Sequence, residues 1–153
     1  MGIVDKAGEI ADATALSTAG TGLALVGSQL DLSVVRNVSA PGNKPLYLVI
    51  SVDTAVLSAG SATVEFQLVS DSTAAIAVDG SATVHAKTGA IPKASLGGGV
   101  LVMVLALPSE PPAYERFLGL LQNVGTAALT AGKINAYLTA VPPGQNRSYP
   151  DAT

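Results

Sequence analysis

The sequence has no cysteine, no tryptophan and a single histidine among its 153 residues. Without cysteine there are no disulfides, no thiolate-bound zinc and no thiol nucleophile. One imidazole, His85, rules out metal sites built from several. Charge is also scarce: Asp, Glu, Lys and Arg make up 12 % of the chain, about half the usual share. Eight Lys and Arg against eleven Asp and Glu leave a formal net charge of −3. A nucleic-acid binder displaces counterions with a basic face, and eight scattered cations do not form one. Electrostatic recruitment to a membrane fails on the same ground. No apolar run approaches the ~18 residues of a membrane-crossing helix; the longest, 100–107, is sized as a strand. Asp5, Lys6 and Glu9 stand where a signal peptide would need a basic and then an apolar stretch, so a soluble protein without an export signal is expected.

Apolar residues, by contrast, are plentiful at 48 %, which argues against intrinsic disorder. Gly, Pro and small polar clusters break the chain at 20–22, 40–43, 57–61, 71–80, 89–99, 108–112, 125–132 and 142–144. The segments between them run for about seven to eleven residues, the spacing of an all-β sandwich or barrel. There is no internal repeat and no charge block.

Several segments alternate. Leu46, Leu48, Ile50 and Val52 oppose Tyr47, Ser51 and Asp53. Ala62, Val64, Phe66 and Leu68 oppose Thr63, Glu65 and Gln67. Ala82, Val84 and Ala86 oppose Thr83, His85 and Lys87, and Ile134, Ala136, Leu138 and Ala140 oppose Asn135, Tyr137 and Thr139. Residues 100–107 are apolar on both faces, as in a strand covered on both sides, in a sandwich interior or under a subunit interface. The predicted core is Leu48, Ile50, Val64, Phe66, Val84, Val102, Val104 and Leu138. Tyr114, Phe117, Leu118 and Leu121 follow helical spacing, but Gly119 interrupts them and Pro111-Pro112 and Gly125 bound them. Periodicity leaves that stretch open. Residues 10–17 read as a marginal strand. The organisation expected is an N-terminal arm over 1–9, one antiparallel β-sandwich domain over 10–141, and a C-terminal arm over 142–153.

Candidate chemistry is sparse. His85 falls on a polar face between Thr83 and Lys87 and reads as a surface residue; no Gly-x-Ser-x-Gly elbow accompanies it. Residues 125–133 superficially resemble a phosphate-binding loop, but six residues separate the glycines and Ile134 follows Lys133. A hairpin or loop between two strands suits them better. Asp53, Asp71 and Asp79 are too dispersed for a calcium loop and read as turn residues at strand ends. Four scattered glutamates give no basis for a glycosidase pair. The sequons at Asn37 and Asn146 matter only on a secretory route. No catalytic, cofactor-binding or metal-binding residue is assigned, and no enzyme activity is expected.

The particular strings carry more. Residues 45–55 (PLYLVISVDTA) are followed by Ala62-Thr63-Val64 and Leu68-Val69-Ser70-Asp71, then by Ala90-Ile91-Pro92. After a Gly-rich step come 100–108, Tyr114-Glu115-Arg116-Phe117-Leu118, Asn123-Val124-Gly125-Thr126, Leu129-Thr130-Ala131-Gly132 and finally Tyr149-Pro150-Asp151. In that order the chain resembles the jelly-roll capsid cement (decoration) proteins of short-tailed double-stranded DNA bacteriophages, from about residue 10 to 151. It departs from their pattern in the first 35 residues and at Gly119 and Leu121. The resemblance implies a jelly roll in which 114–124 is a strand. It also implies a structural virion protein, made in the host cytoplasm and bound to the outer surface of an icosahedral head. There it would stabilise contacts between capsomers of the major capsid protein. A homo-oligomer is expected, because so few charges are available to cover one small domain; the resemblance favours a dimer, the commonest closed form, over a trimer. The alternative is a carbohydrate- or host-binding jelly-roll module of a phage spike or fibre.

Overall fold

The computed structural model describes residues 6–33 and 46–143. The described residues form two 3-10 turns, Lys6–Gly8 and Lys93–Ser95, and nine strands: β1 (Glu9–Ala15), β2 (Gly22–Asp31), β3 (Tyr47–Leu57), β4 (Thr63–Asp71), β5 (Thr83–Lys87), β6 (Ile91–Pro92), β7 (Leu101–Ala106), β8 (Phe117–Gly125) and β9 (Ala131–Thr139). One sheet has the order β1-β9-β3-β7 and the other β2-β8-β4-β5, with the short β6 also on β4. Every pairing is antiparallel. With β6 set aside, eight strands form two sheets, and most successive strands cross from one to the other. This is the jelly-roll arrangement. Of the expected arms, residues 1–5 and 144–153 lie outside the described residues.

Alternation builds the interior. Leu48 and Ile50 of β3 and Ile134, Ala136 and Leu138 of β9 face Val64, Phe66 and Leu68 of β4 and Leu118 and Leu120 of β8, all buried in one cluster. Five predicted core residues, Leu48, Ile50, Val64, Phe66 and Leu138, are among them. Val84 and Val104 are not; they are 42 % and 38 % exposed. The cause at Val84 is a β-bulge. Leu68 pairs with Ala86 but Val69 pairs with Val84, so His85 is an extra residue and the strand changes phase there. Val104 lies opposite Val49 on the outward face of β7, an edge strand. Val102 is half-buried against the core beside a second bulge. Among the described residues, nothing covers both faces of 100–107.

The stretch with helical spacing is a strand, β8, as the resemblance implies, although it begins at Phe117 and not at Tyr114. Its neighbours β2 and β4 supply the ladder on both sides. Its inner face joins the main core, and its outer face packs in a second cluster of Val69, Ile76, Ala82 and Leu121. Apolar residues are thus needed at nearly every position, which mimics a helix pattern. Gly119 is small for a reason: a Cβ there would collide with the Ile76 side chain folded over it from the β4–β5 connection.

Candidate functional site

The densest polar cluster lies at one end of the second sheet. Ser70, fully buried at the end of β4, sits with its Oγ 2.7 Å from His85 Nε2 on β5. The same Oγ accepts the Glu115 N–H at 3.0 Å. Thr83 Oγ1 donates to Glu115 Oε1 at 2.7 Å. The His85 ring stacks on Tyr114, centroids 3.9 Å apart and planes 12° from parallel, and Tyr114 OH donates to the Pro108 carbonyl at 2.6 Å. His85 Nδ1 is buried and has no hydrogen-bond partner among the described residues. Burial pushes the His85 pKa down, outweighing the upward pull of Glu115 and Glu110. Burial, with a smaller contribution from the Glu110 charge, pushes the Tyr114 phenol up to about 12.

A serine hydroxyl against an imidazole is the beginning of a hydrolytic triad, but this pair cannot act as one. Ser70 has no exposed surface, its oxygen accepts the Glu115 N–H, and among the described residues no carboxylate orients Nδ1. The cluster is an internal tie among β4, β5 and the segment entering β8. His85 is thus half-buried and engaged, where a surface histidine is expected from the alternation. The bulge that turns Val84 outward also admits His85 to this contact.

The other sequence candidates are dispersed. Asp71 closes the β4–β5 connection: its Oδ2 accepts the Ala77 N–H at 2.9 Å and its Oδ1 the Thr73 N–H at 3.0 Å. Those bonds, Ala77 first, hold its carboxyl below the usual carboxylate range. Asp79 caps Ser81 in the same way, and its carboxyl is likewise lowered, chiefly by the Ser81 hydroxyl. Asp53 is not at a strand end; it lies within β3 and accepts the neighbouring Thr54 hydroxyl. Among the described residues no three His, Asp or Glu side chains are grouped to hold a metal ion. Residues 125–133 connect β8 to β9, which lie in different sheets, so they form a crossing loop and not a hairpin. Both sequons lie outside the described residues. A bidentate pair, Arg116 Nε and Nη2 to Asp31 at 3.0 and 2.9 Å, ties the end of β2 to the entry of β8. It lowers the Asp31 pKa to about 2, but both side chains are about half exposed, so its contribution to stability is small.

The surface offers a different kind of feature. Seven large apolar residues are exposed among the described residues, and Val100, Leu101 and Val104 of these belong to β7 and its lead-in. All six residues of β7, Leu-Val-Met-Val-Leu-Ala, are apolar, and none is buried. Sequence alternation marked this run as apolar on both faces but could not say that it ends a sheet. The Ser70–His85–Tyr114 contact left no sequence signal, because it depends on one bulge.

The Bbp16 family model matches residues 9–138, from the first residue of β1 almost to the end of β9. No curated protein matches the chain.

Proposed function

The chain belongs to the Bbp16 family, and we propose that it is a structural virion protein, a cement or decoration protein on the outer surface of an icosahedral phage head. It bridges neighbouring capsomers of the major capsid protein and acts as a homo-oligomer, a dimer before a trimer. The observation that carries this reading is the order in which the resembling strings fall on the jelly roll. Residues 45–55 fall on β3 and 62–71 on β4, with Ile91 and Pro92 forming β6. Residues 100–108 contain β7, 117–125 are β8, and 129–132 turn into β9.

Physical considerations support it. A protein repeated over one lattice gains avidity from many modest contacts and needs no deep cleft. An apolar rim with few charges suits such contacts. The reading as a glycan- or host-binding module is weaker, because sugar faces are usually met by exposed aromatics. Phe66 and Tyr114 are buried here, and Tyr47, Phe117 and Tyr137 are only partly exposed.

Shells lacking the protein provide the test. Purified protein mixed with them should co-sediment in a saturable ratio to the major capsid protein. Failure to bind intact shells, with binding to cells or glycans instead, would replace the cement reading by the alternative.

A further inference from the structure

We propose that β7 is the seam of a homodimer: β7 of one copy pairs antiparallel with β7 of a second copy across a two-fold axis, fusing two four-stranded sheets into one of eight. The proposal rests on the reading of the chain as a homo-oligomer and assigns it a location. The two sheets present four edges, β1, β7, β2 and β5. Unpaired edges invite other strands, and proteins blunt the ones that must stay single with charges, bulges and proline.

Three edges are blunted. β1 is twice out of register with β9, carries Glu9 and Asp12, and holds Ala13 at φ 43. β2 is irregular between Val26 and Leu30 and ends in Asp31. β5 is bulged and ends in Lys87, and β6 beside it contains Pro92. The fourth is not. Beyond the bulge near Leu101, β7 is regular from Met103 to Ala106, with no charge and no proline.

Its backbone is aimed outward in the right alternation. Leu107 N–H donates to the Leu46 carbonyl at 2.8 Å, and Leu105 and Met103 pair with Leu48 and Ile50. In an antiparallel ladder every second residue turns its N–H and C=O to the same neighbour. Met103, Leu105 and Leu107 therefore face β3, while Val104 and Ala106 direct theirs away from it, where no strand lies among the described residues.

Charge selects the occupant. A two-fold pairing sets each strand against its own reversed sequence. At β1 that sets Asp12 against Asp12 of the second copy, and at β5 it sets the charged Lys87 against Thr83, whereas β7 opposes only apolar side chains. The matching register sets Val104 against the partner's Ala106, and Leu105 against the partner's Leu105. This uses the outward groups of both residues and keeps the bulge outside the pairing. It also covers the half-exposed side chains of the strand, in which nothing is buried in a single copy.

The chain has no cysteine, so an introduced one is the only thiol. Leu105 faces its symmetry mate at a non-hydrogen-bonded position, where Cα atoms lie ~4.5 Å apart, within disulfide range. Under mild oxidation Leu105→Cys should convert most of the protein to a covalent dimer. Leu57→Cys, more exposed at 54 % but on another strand end, should not. Val104→Lys should sediment as a monomer with an unchanged β-sheet circular dichroism spectrum; if that variant does not fold, the cross-link decides alone. A wild-type dimer in which Leu105→Cys gives no cross-link overturns the seam and leaves the homo-oligomer reading standing. A wild-type monomer or trimer overturns the seam and the dimer together. A monomer whose β7 becomes protected only on the shell assigns the edge to the shell protein and also overturns it.

Discussion

Ser70 and His85 stand 2.7 Å apart, Oγ to Nε2, inside a contact that also takes in Glu115 and Tyr114. One buried hydroxyl thereby joins β4, β5 and the entry to β8. Replacing His85 by Ala removes the stacking and one hydrogen bond of that hydroxyl, and should cost about 1–3 kcal/mol in a denaturant titration.

The same contact predicts a pH dependence. The folded pKa of His85 lies below the ordinary 6.5, so between the two values the unfolded chain binds more protons than the folded one. Stability should therefore fall as pH drops through 6.5 and level off below the folded pKa. The lowered carboxylates Asp31, Asp71 and Asp79 contribute only in more acidic solution, where their protonation removes further stability. Melting curves at pH 7.5 and pH 5 isolate the histidine. The wild type should melt lower at pH 5, and His85→Gln should show little difference.

Phe66 is 1 % exposed at the centre of the sandwich. Phe66→Ala should cost about 3–5 kcal/mol and lower the melting temperature by roughly 6–20 °C. An unchanged melting temperature would contradict the assigned inner face.

Gln122, also 1 % exposed, points into the apolar interior and is satisfied by one backbone residue. Its Oε1 accepts the Ser17 N–H at 2.8 Å, and its Nε2 donates to the Ser17 carbonyl at 3.1 Å. The side-chain amide thus pins the β1–β2 crossover to β8. Gln122→Leu should cost about 1–3 kcal/mol by leaving both Ser17 groups unpaired. Gln122→Glu should be worse at neutral pH, because a carboxylate cannot donate and buries a charge. Hydrogen exchange at the Ser17 amide should accelerate in Gln122→Leu, which removes its acceptor.

Gly119 admits the Ile76 side chain. Gly119→Val should displace the β4–β5 connection and cost about 1–3 kcal/mol, and pairing it with Ile76→Ala should recover part of the loss.

Much of the fold was legible in the residues because alternation and turn chemistry agree along β3, β4 and β9. Pro, Gly and Asp also fall where the strands end, as at Asp71. The errors in the predicted core have two causes, a bulge and an edge. A single extra residue reverses the face of everything beyond it, and at His85 it turned Val84 outward and brought the imidazole in. Local periodicity cannot register such a bulge. Nor can it separate an edge from an interior strand, as 100–107 demonstrates: its composition is that of a buried strand, and only the sheet order β1-β9-β3-β7 places it at a rim. Gln122 shows the reverse limit. It reads as polar in sequence, yet it is buried because Ser17 is within reach.

Electron microscopy of the native particle should show this jelly roll on the outer surface of the head, repeated at the boundaries between capsomers. Its location in the tail or inside the shell, or its absence from the particle, would contradict the cement reading.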